Sequence, residues 1–301
     1  MKRVMMLVAV VGGIVQMAVG ADTHDYSNYA KLTSKSTTVT VTTHWPTADQ
    51  WTPAGEMSAD GYYLIPKGKT LYCNSQAATP CDGPWPAAEL AVEGAFRSST
   101  TGGRAYTPET AHLAILPGGK IYGTAAYSTF TAETLDIRGT ADSPSVIEYN
   151  YNADTSKPNY YLQINAVLTS SDPDSVVKFV NPKTADYSFK QRATRILGVR
   201  DFLGTVVVEG SNAWVRLETT ATEFDLAGTL ELKNGGNFYV DTVSPTIGTL
   251  KIGAGSTFEL AKKRVVTVTD ALELAEGTRI LVANPFGDWA AGTPKDPVRI
   301  A

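Results

Sequence analysis

The stretch GTLKIGAGSTFEL, residues 248–260, alternates apolar and polar side chains, breaks at a glycine-rich segment, and resumes the alternation. Leu250 and Ile252 precede the break, Gly255 lies within it, and Phe258 follows it. Alternation places successive side chains on opposite faces of a strand. Gly253-Ala254-Gly255 after an apolar run also has the outline of a nucleotide-cradling loop. That alternative needs a third glycine at 258 and a helix after it, but position 258 is Phe and a strand-like FEL follows. The stretch therefore reads as strand, turn, strand.

The same spacing recurs along the chain. Starting at Gly228, it places Leu230, Leu232, Gly235 and Phe238; starting at Asp270, it places Leu272, Leu274, Gly277 and Ile280. From Gly204 it gives Val206, Val208 and Trp214, with the glycine one place early at Gly210. Two copies lie upstream: Leu113, Ile115, Gly118 and Ile121 from Ala111, and Tyr63, Ile65, Gly68 and Leu71 from Gly61. All eighteen inward-type positions of these six windows are apolar in a chain that is 43% apolar, so the pattern is a repeat.

Successive downstream windows start 24, 20 and 22 residues apart, too short for helix pairs. One such unit holds two or three short strands and cannot bury its own faces. Stacking the units buries a continuous core and pairs each strand with its neighbours. The expected fold is all-β, a right-handed parallel β-helix of about ten coils of 20–24 residues over 59–283. At about 4.8 Å per coil this makes a rod of roughly 50 Å. In-register stacking would align Glu231, Lys251 and Glu273 as an outward ladder of alternating sign.

The flanks differ. Lys2 and Arg3, the apolar run Val4–Val19 and the small Gly20 and Ala21 form a signal-peptide pattern over 1–21. The rival, a membrane anchor, is disfavoured by Gln16, three glycines and the polar DTHDYSN that follows, so no transmembrane segment is expected after cleavage. Residues 22–58 are polar and Thr-rich and suit a cap over the first coil. Residues 284–301 are a Pro/Gly-rich tail, either a terminal loop or the point where a longer protein is cut. Cys73 and Cys81, the two cysteines of the chain, suit a disulfide across a short loop in an oxidising compartment.

The repeated (G/D)-(T/A)-L-x-(I/L)-x-x-G-x-x-(F/I) at 228, 248 and 270 resembles the β-strand repeats of bacterial autotransporter passengers and related surface adhesins. The resemblance covers 204–283 best and is thin upstream. It implies an exported β-helix at the cell surface, often a stalk for adhesion. The chain departs from the pattern in having no room for a C-terminal membrane barrel, and it ends in Ala301 and not an aromatic residue.

Catalytic motifs are sparse. β-Helix polysaccharide enzymes need paired carboxylates, or acidic Ca²⁺ ligands with a basic residue. The candidates are Asp172 and Asp174 in SSDPDS, with Arg192, Arg195, Arg200 and Asp201. SSDPDS also reads as a Pro-directed turn with solvated carboxylates. His24, His44 and His112 have no metal-ligand spacing, and no Gly-x-Ser-x-Gly elbow is present. Tyr149, Tyr151, Tyr160 and Tyr161 in the irregular middle, 139–200, could stack on sugars but suit packing at the core edge. A net charge of −4 with no Lys/Arg block gives no footprint for nucleic acid.

The expectation is a secreted or cell-surface structural or adhesive protein without catalytic site, cofactor or metal. Its partners would be host or matrix glycans, or surface proteins. The alternative is a polysaccharide-binding or polysaccharide-degrading, pectin-lyase-like β-helix with its site on loops of 139–200.

Overall fold

The structure is a computed structural model that describes residues 25–33, 36–39, 50–55, 57–74, 83–84, 87–99, 108–124, 127–150, 161–182, 193–217, 221, 223–240, 242–261 and 264–283. Within them the alternating runs form two long sheets, one of thirteen strands and one of ten. The strands pair in parallel, except where Ala30–Leu32 meets Trp51–Thr52. The chain passes from Thr246–Ile252 in the ten-stranded sheet to Thr257–Ala261 in the other, then back to Thr267–Leu274. This alternation is consistent with a parallel β-helix solenoid.

The inward rows follow the sequence pattern. Val206, Leu230, Leu250 and Leu272 lie side by side, as do Val208, Leu232, Ile252 and Leu274. Across the core, Phe258 stacks on Phe238 at 5.9 Å between ring centroids. One apolar cluster runs from Leu32 and Trp51 to Val266, so the stack shares a single core. Each fully buried aliphatic or aromatic side chain contributes about 1.5–3 kcal/mol, which supplies the force that stacks the coils. Register shifts of the β-bulge kind interrupt the ladders at Tyr127–Ile137 and Asp225–Lys233.

The outward ladder is in register: Glu231 lies beside Lys251, and Lys251 beside Glu273. Lys251 Nζ is 3.1 Å from Glu273, while the Glu231 carboxylate is 2.9 Å from Lys233 on its own strand.

Two features depart from the repeat as read. The windows from Gly61 and Ala111 lie at the opposite corner from the four downstream. Their first apolar pairs, Tyr63/Ile65 and Leu113/Ile115, belong to the thirteen-stranded sheet, whereas Val206/Val208 and Leu250/Ile252 belong to the ten-stranded one. The same strand–turn–strand motif builds both corners, so spacing alone does not tell them apart. Neighbours in the ten-stranded sheet are 20 residues apart at Leu232–Ile252 but 32 apart at Ile147–Phe179. The 20–24-residue period thus belongs to the downstream coils, and segments between strands lengthen the upstream ones.

IGAGST is a coil corner. The Ser256 N–H donates to the Gly253 carbonyl at 3.1 Å, and Gly255 takes φ +71° between them. Gly68, Gly118 and Gly277 also have positive φ, between 74° and 77°, as the third residue of a type II turn requires. Gly235 (φ +86°) instead follows Asn234, itself at φ +52°, the pair of positive φ values of a type I′ turn. A Cβ on Gly255 would meet nothing within 4 Å, so conformation and not space selects glycine there. Gly255→Ala is expected to cost about 1–2 kcal/mol, measured as a shift of the denaturation midpoint. Gly248 is selected for the other reason: a Cβ there would lie 2.1 Å from the Ala227 carbonyl oxygen of the coil below.

At the N-terminal end Trp51 and Leu32 enter the core, both 1% exposed, where the antiparallel strand closes the thirteen-stranded sheet. The signal pattern of 1–21 and the tail 284–301 lie outside the described residues. So does Cys81; only the backbone of Cys73 is described, beside Ser98, and the expected disulfide is not part of the described structure. No helix among the described residues is long and apolar enough to cross a membrane.

Candidate functional site

The most elaborate side-chain cluster lies on the outer face of the thirteen-stranded sheet. Glu89–Val92 and Pro108–Ile115 send Leu90, Val92, Leu113 and Ile115 into the main core. Their outward residues Ala91 and Ala114, with Leu64 and Leu116, are nevertheless buried and form a second apolar cluster. The cover is the segment before the first strand: Tyr29 joins that cluster and Tyr26 packs against it. Their rings meet edge to face at 5.1 Å, and Tyr29 lies 5.3 Å from Tyr62. Small residues at 91 and 114 leave room for this strap to lie flat.

Polar groups fasten it. Arg138, just past Tyr127–Ile137, donates from Nη1 and Nη2 to the two oxygens of Glu89, each at 3.1 Å. Its Nε donates to Asp136 at 2.6 Å, and Nη1 also donates to the Tyr26 hydroxyl at 2.6 Å. The Tyr29 hydroxyl donates to Glu89 Oε1 at 2.9 Å. A fork-to-fork pair of this kind fixes orientation as well as charge. Burial alone would lower the Arg138 pKa, but the Glu89 hydrogen bonds and the Asp136 and Glu89 charges outweigh it and hold the guanidinium firmly charged.

Burial, then the hydrogen bond to Glu89 and its charge, raise the Tyr29 hydroxyl above its ordinary value. Burial raises Tyr26 too, against the opposing effect of Arg138. A raised folded-state pKa gives stability that is complete below the unfolded value, about 10 for tyrosine, and is lost as pH rises above it. The strap is therefore expected to release in alkali. Tyrosinate absorbance against pH should show a late, cooperative rise that Tyr29→Phe shifts or removes.

Beside the strap is a cleft of about 220 Å³ lined by Tyr26, Asp136, Arg138, Ser170 and Asp172, among others. Asp172, a candidate carboxylate of the polysaccharide-enzyme alternative, lines this cleft. Its neighbour Asp174 is not among the lining residues; its N–H donates to Asp172 Oδ1 at 2.9 Å, the local bond of an Asx turn. The Pro-directed turn expected for SSDPDS is thus what forms.

The remaining candidates have separate partners. Arg195 stacks over the Tyr161 ring at 3.7 Å, and Arg200 pairs with Glu223, its Nε donating to Oε2 at 3.0 Å. The pairing lowers the Glu223 carboxyl pKa. Asp201, beside Arg200, sits at a positive φ of 48°. Tyr149 is 3% exposed and packs in the core. His112 faces outward and shares a 2.8 Å hydrogen bond with Thr134. Arg192, His24, His44, Tyr151 and Tyr160 lie outside the described residues. Among the described residues no group of three or more His, Cys, Asp or Glu is placed to hold a metal ion.

Sequence reasoning passed over Tyr26, Tyr29, Glu89, Asp136 and Arg138. A faint signal was available in Glu89, a carboxylate on the outward slot of the apolar run AELAV, and in the Tyr-x-x-Tyr of a polar leader. No family model, curated protein or solved structure matches this chain.

Proposed function

We propose that this chain is an exported β-helix, secreted or displayed at a cell surface, with a structural or adhesive role and no catalysis of its own. In finer detail it is a right-handed solenoid of about ten coils, the hand being that of parallel crossovers, of the autotransporter-passenger or surface-adhesin type. The observation that carries the reading is the continuity of the two sheets: rows of side chains repeat from coil to coil along one core. A stack whose coils support one another in this way is a spacer, able to hold its outer faces away from a membrane. The leader at 1–21 supplies the export signal, and host or matrix glycans or surface proteins are the partners such a rod would meet.

A second reading is favoured by the cleft beside the strap. Tyr26 supplies an aromatic wall, Asp136 and Asp172 supply carboxylates and Arg138 a guanidinium, a set suited to binding a saccharide. The two readings separate experimentally. Cell fractionation should place the protein outside or on the surface; retention in the cytoplasm would refute export. A glycan array together with a reducing-sugar assay should give at most binding. Measurable turnover would overturn the non-catalytic role, and binding abolished by Asp172→Ala would place the saccharide in the cleft.

A further inference from the structure

We propose that the open end of the last described coil is a docking surface for a strand of pattern apolar–cation–apolar, and that its occupant is the chain's own Val298-Arg299-Ile300. The inward rows of the ten-stranded sheet lose their cover at the last described coil. Leu230, Leu232, Leu250 and Ile252 are each at most 1% exposed, because a coil lies on either side. Leu272 and Leu274 continue the same rows on the edge strand Thr267–Leu274, yet they are 38% and 52% exposed. Two core rows thus end on an uncovered face, alongside an edge strand able to pair with another.

Charge specifies the residue between them. The outward ladder reads Glu231, Lys251, Glu273, and the Glu273 side chain, though 3.1 Å from Lys251, remains 57% exposed. The next member of an alternating ladder is a cation. Within 284–301, Val298-Arg299-Ile300 is the segment with two branched apolar residues flanking a cation, and Pro297 precedes it. Proline is tolerated at the first residue of an edge strand, where it discourages further pairing.

The spacing also fits. Val298 is 26 residues beyond Leu272, inside the 20-to-34-residue range between neighbours elsewhere in this sheet. Fourteen residues separate Ala283 from Val298, against twelve between Leu217 and Leu230 on an earlier return to the same sheet.

The test uses the full chain. Glu273→Cys with Arg299→Cys, treated with a short bismaleimide and mapped by peptide mass spectrometry, should give an intrachain link in high yield. The same partner with Thr293→Cys should link at least tenfold more slowly. Equal rates would show that the tail only collides with the end face, and an interchain link would make a second copy the occupant; either result overturns the proposal. Independently, Val298→Asp with Ile300→Asp should speed hydrogen exchange of the Thr267–Leu274 amides at least tenfold, leaving Lys120–Gly123 unchanged as a folding control. Unchanged exchange in Thr267–Leu274 would also overturn it.

Discussion

Arg138→Met should destabilise the protein by about 3–5 kcal/mol and free the N-terminal strap, because it removes one partner of a largely buried ion pair. The Glu89 side chain is 12% exposed and accepts both forks of the guanidinium as well as the Tyr29 hydroxyl. Without Arg138 its charge stays in a low-dielectric setting with a phenol as its remaining partner. Methionine preserves most of the side-chain volume, so the loss reports charge and not a cavity. The double variant with Glu89→Gln should recover much of the loss, since neither charge is then stranded. Urea unfolding of the four-member cycle measures the coupling, and limited proteolysis near Tyr26 reports strap release. A loss below about 1 kcal/mol would mean that the pair is solvated and the apolar contacts alone hold the strap.

Phe238→Ala should cost about 3–5 kcal/mol. Phe238 is fully buried, stacked on Phe258 with planes 4° apart and edge-on to Phe224 at 5.6 Å. Truncation leaves a void between coils whose backbones are tied by parallel ladders on both sides and so cannot collapse into it. In a stack with nearest-neighbour coupling the damage should be local. Hydrogen exchange should rise in Asn237–Val240 and Thr257–Ala261 and stay unchanged around Lys120–Gly123. Uniform acceleration along the rod would indicate one cooperative unit instead.

Much of the fold is legible in the sequence. Leu250, Ile252 and Phe258 report a face through alternation, and Gly255 reports a corner through the φ it must adopt; both are local properties of the chain. The Glu231–Lys251–Glu273 ladder followed because an in-register stack converts a sequence period into a spatial neighbour. The phase of the upstream copies was misplaced, since Gly68 and Gly118 mark a corner without saying which of the two corners it is. The candidate site was less accessible still. Asp172 was named as a candidate carboxylate and reached a cleft, but the groups around it, Tyr26 and Arg138, lie 112 residues apart and meet only in the fold, through a hydrogen bond and a cation–π contact at 5.7 Å.

Alternation, turns at spaced glycines and the tendency to stack are written locally in the chain, because strand faces and turn dihedrals are set within a few residues. Which outward residues are truly outside depends on the folded chain. Ala91 and Ala114 occupy solvent-facing slots by periodicity and are fully buried, because a distant strap lies across them. Leu272 and Leu274 occupy core slots and are exposed, because burial depends on a neighbouring coil and not on the strand that carries the residue.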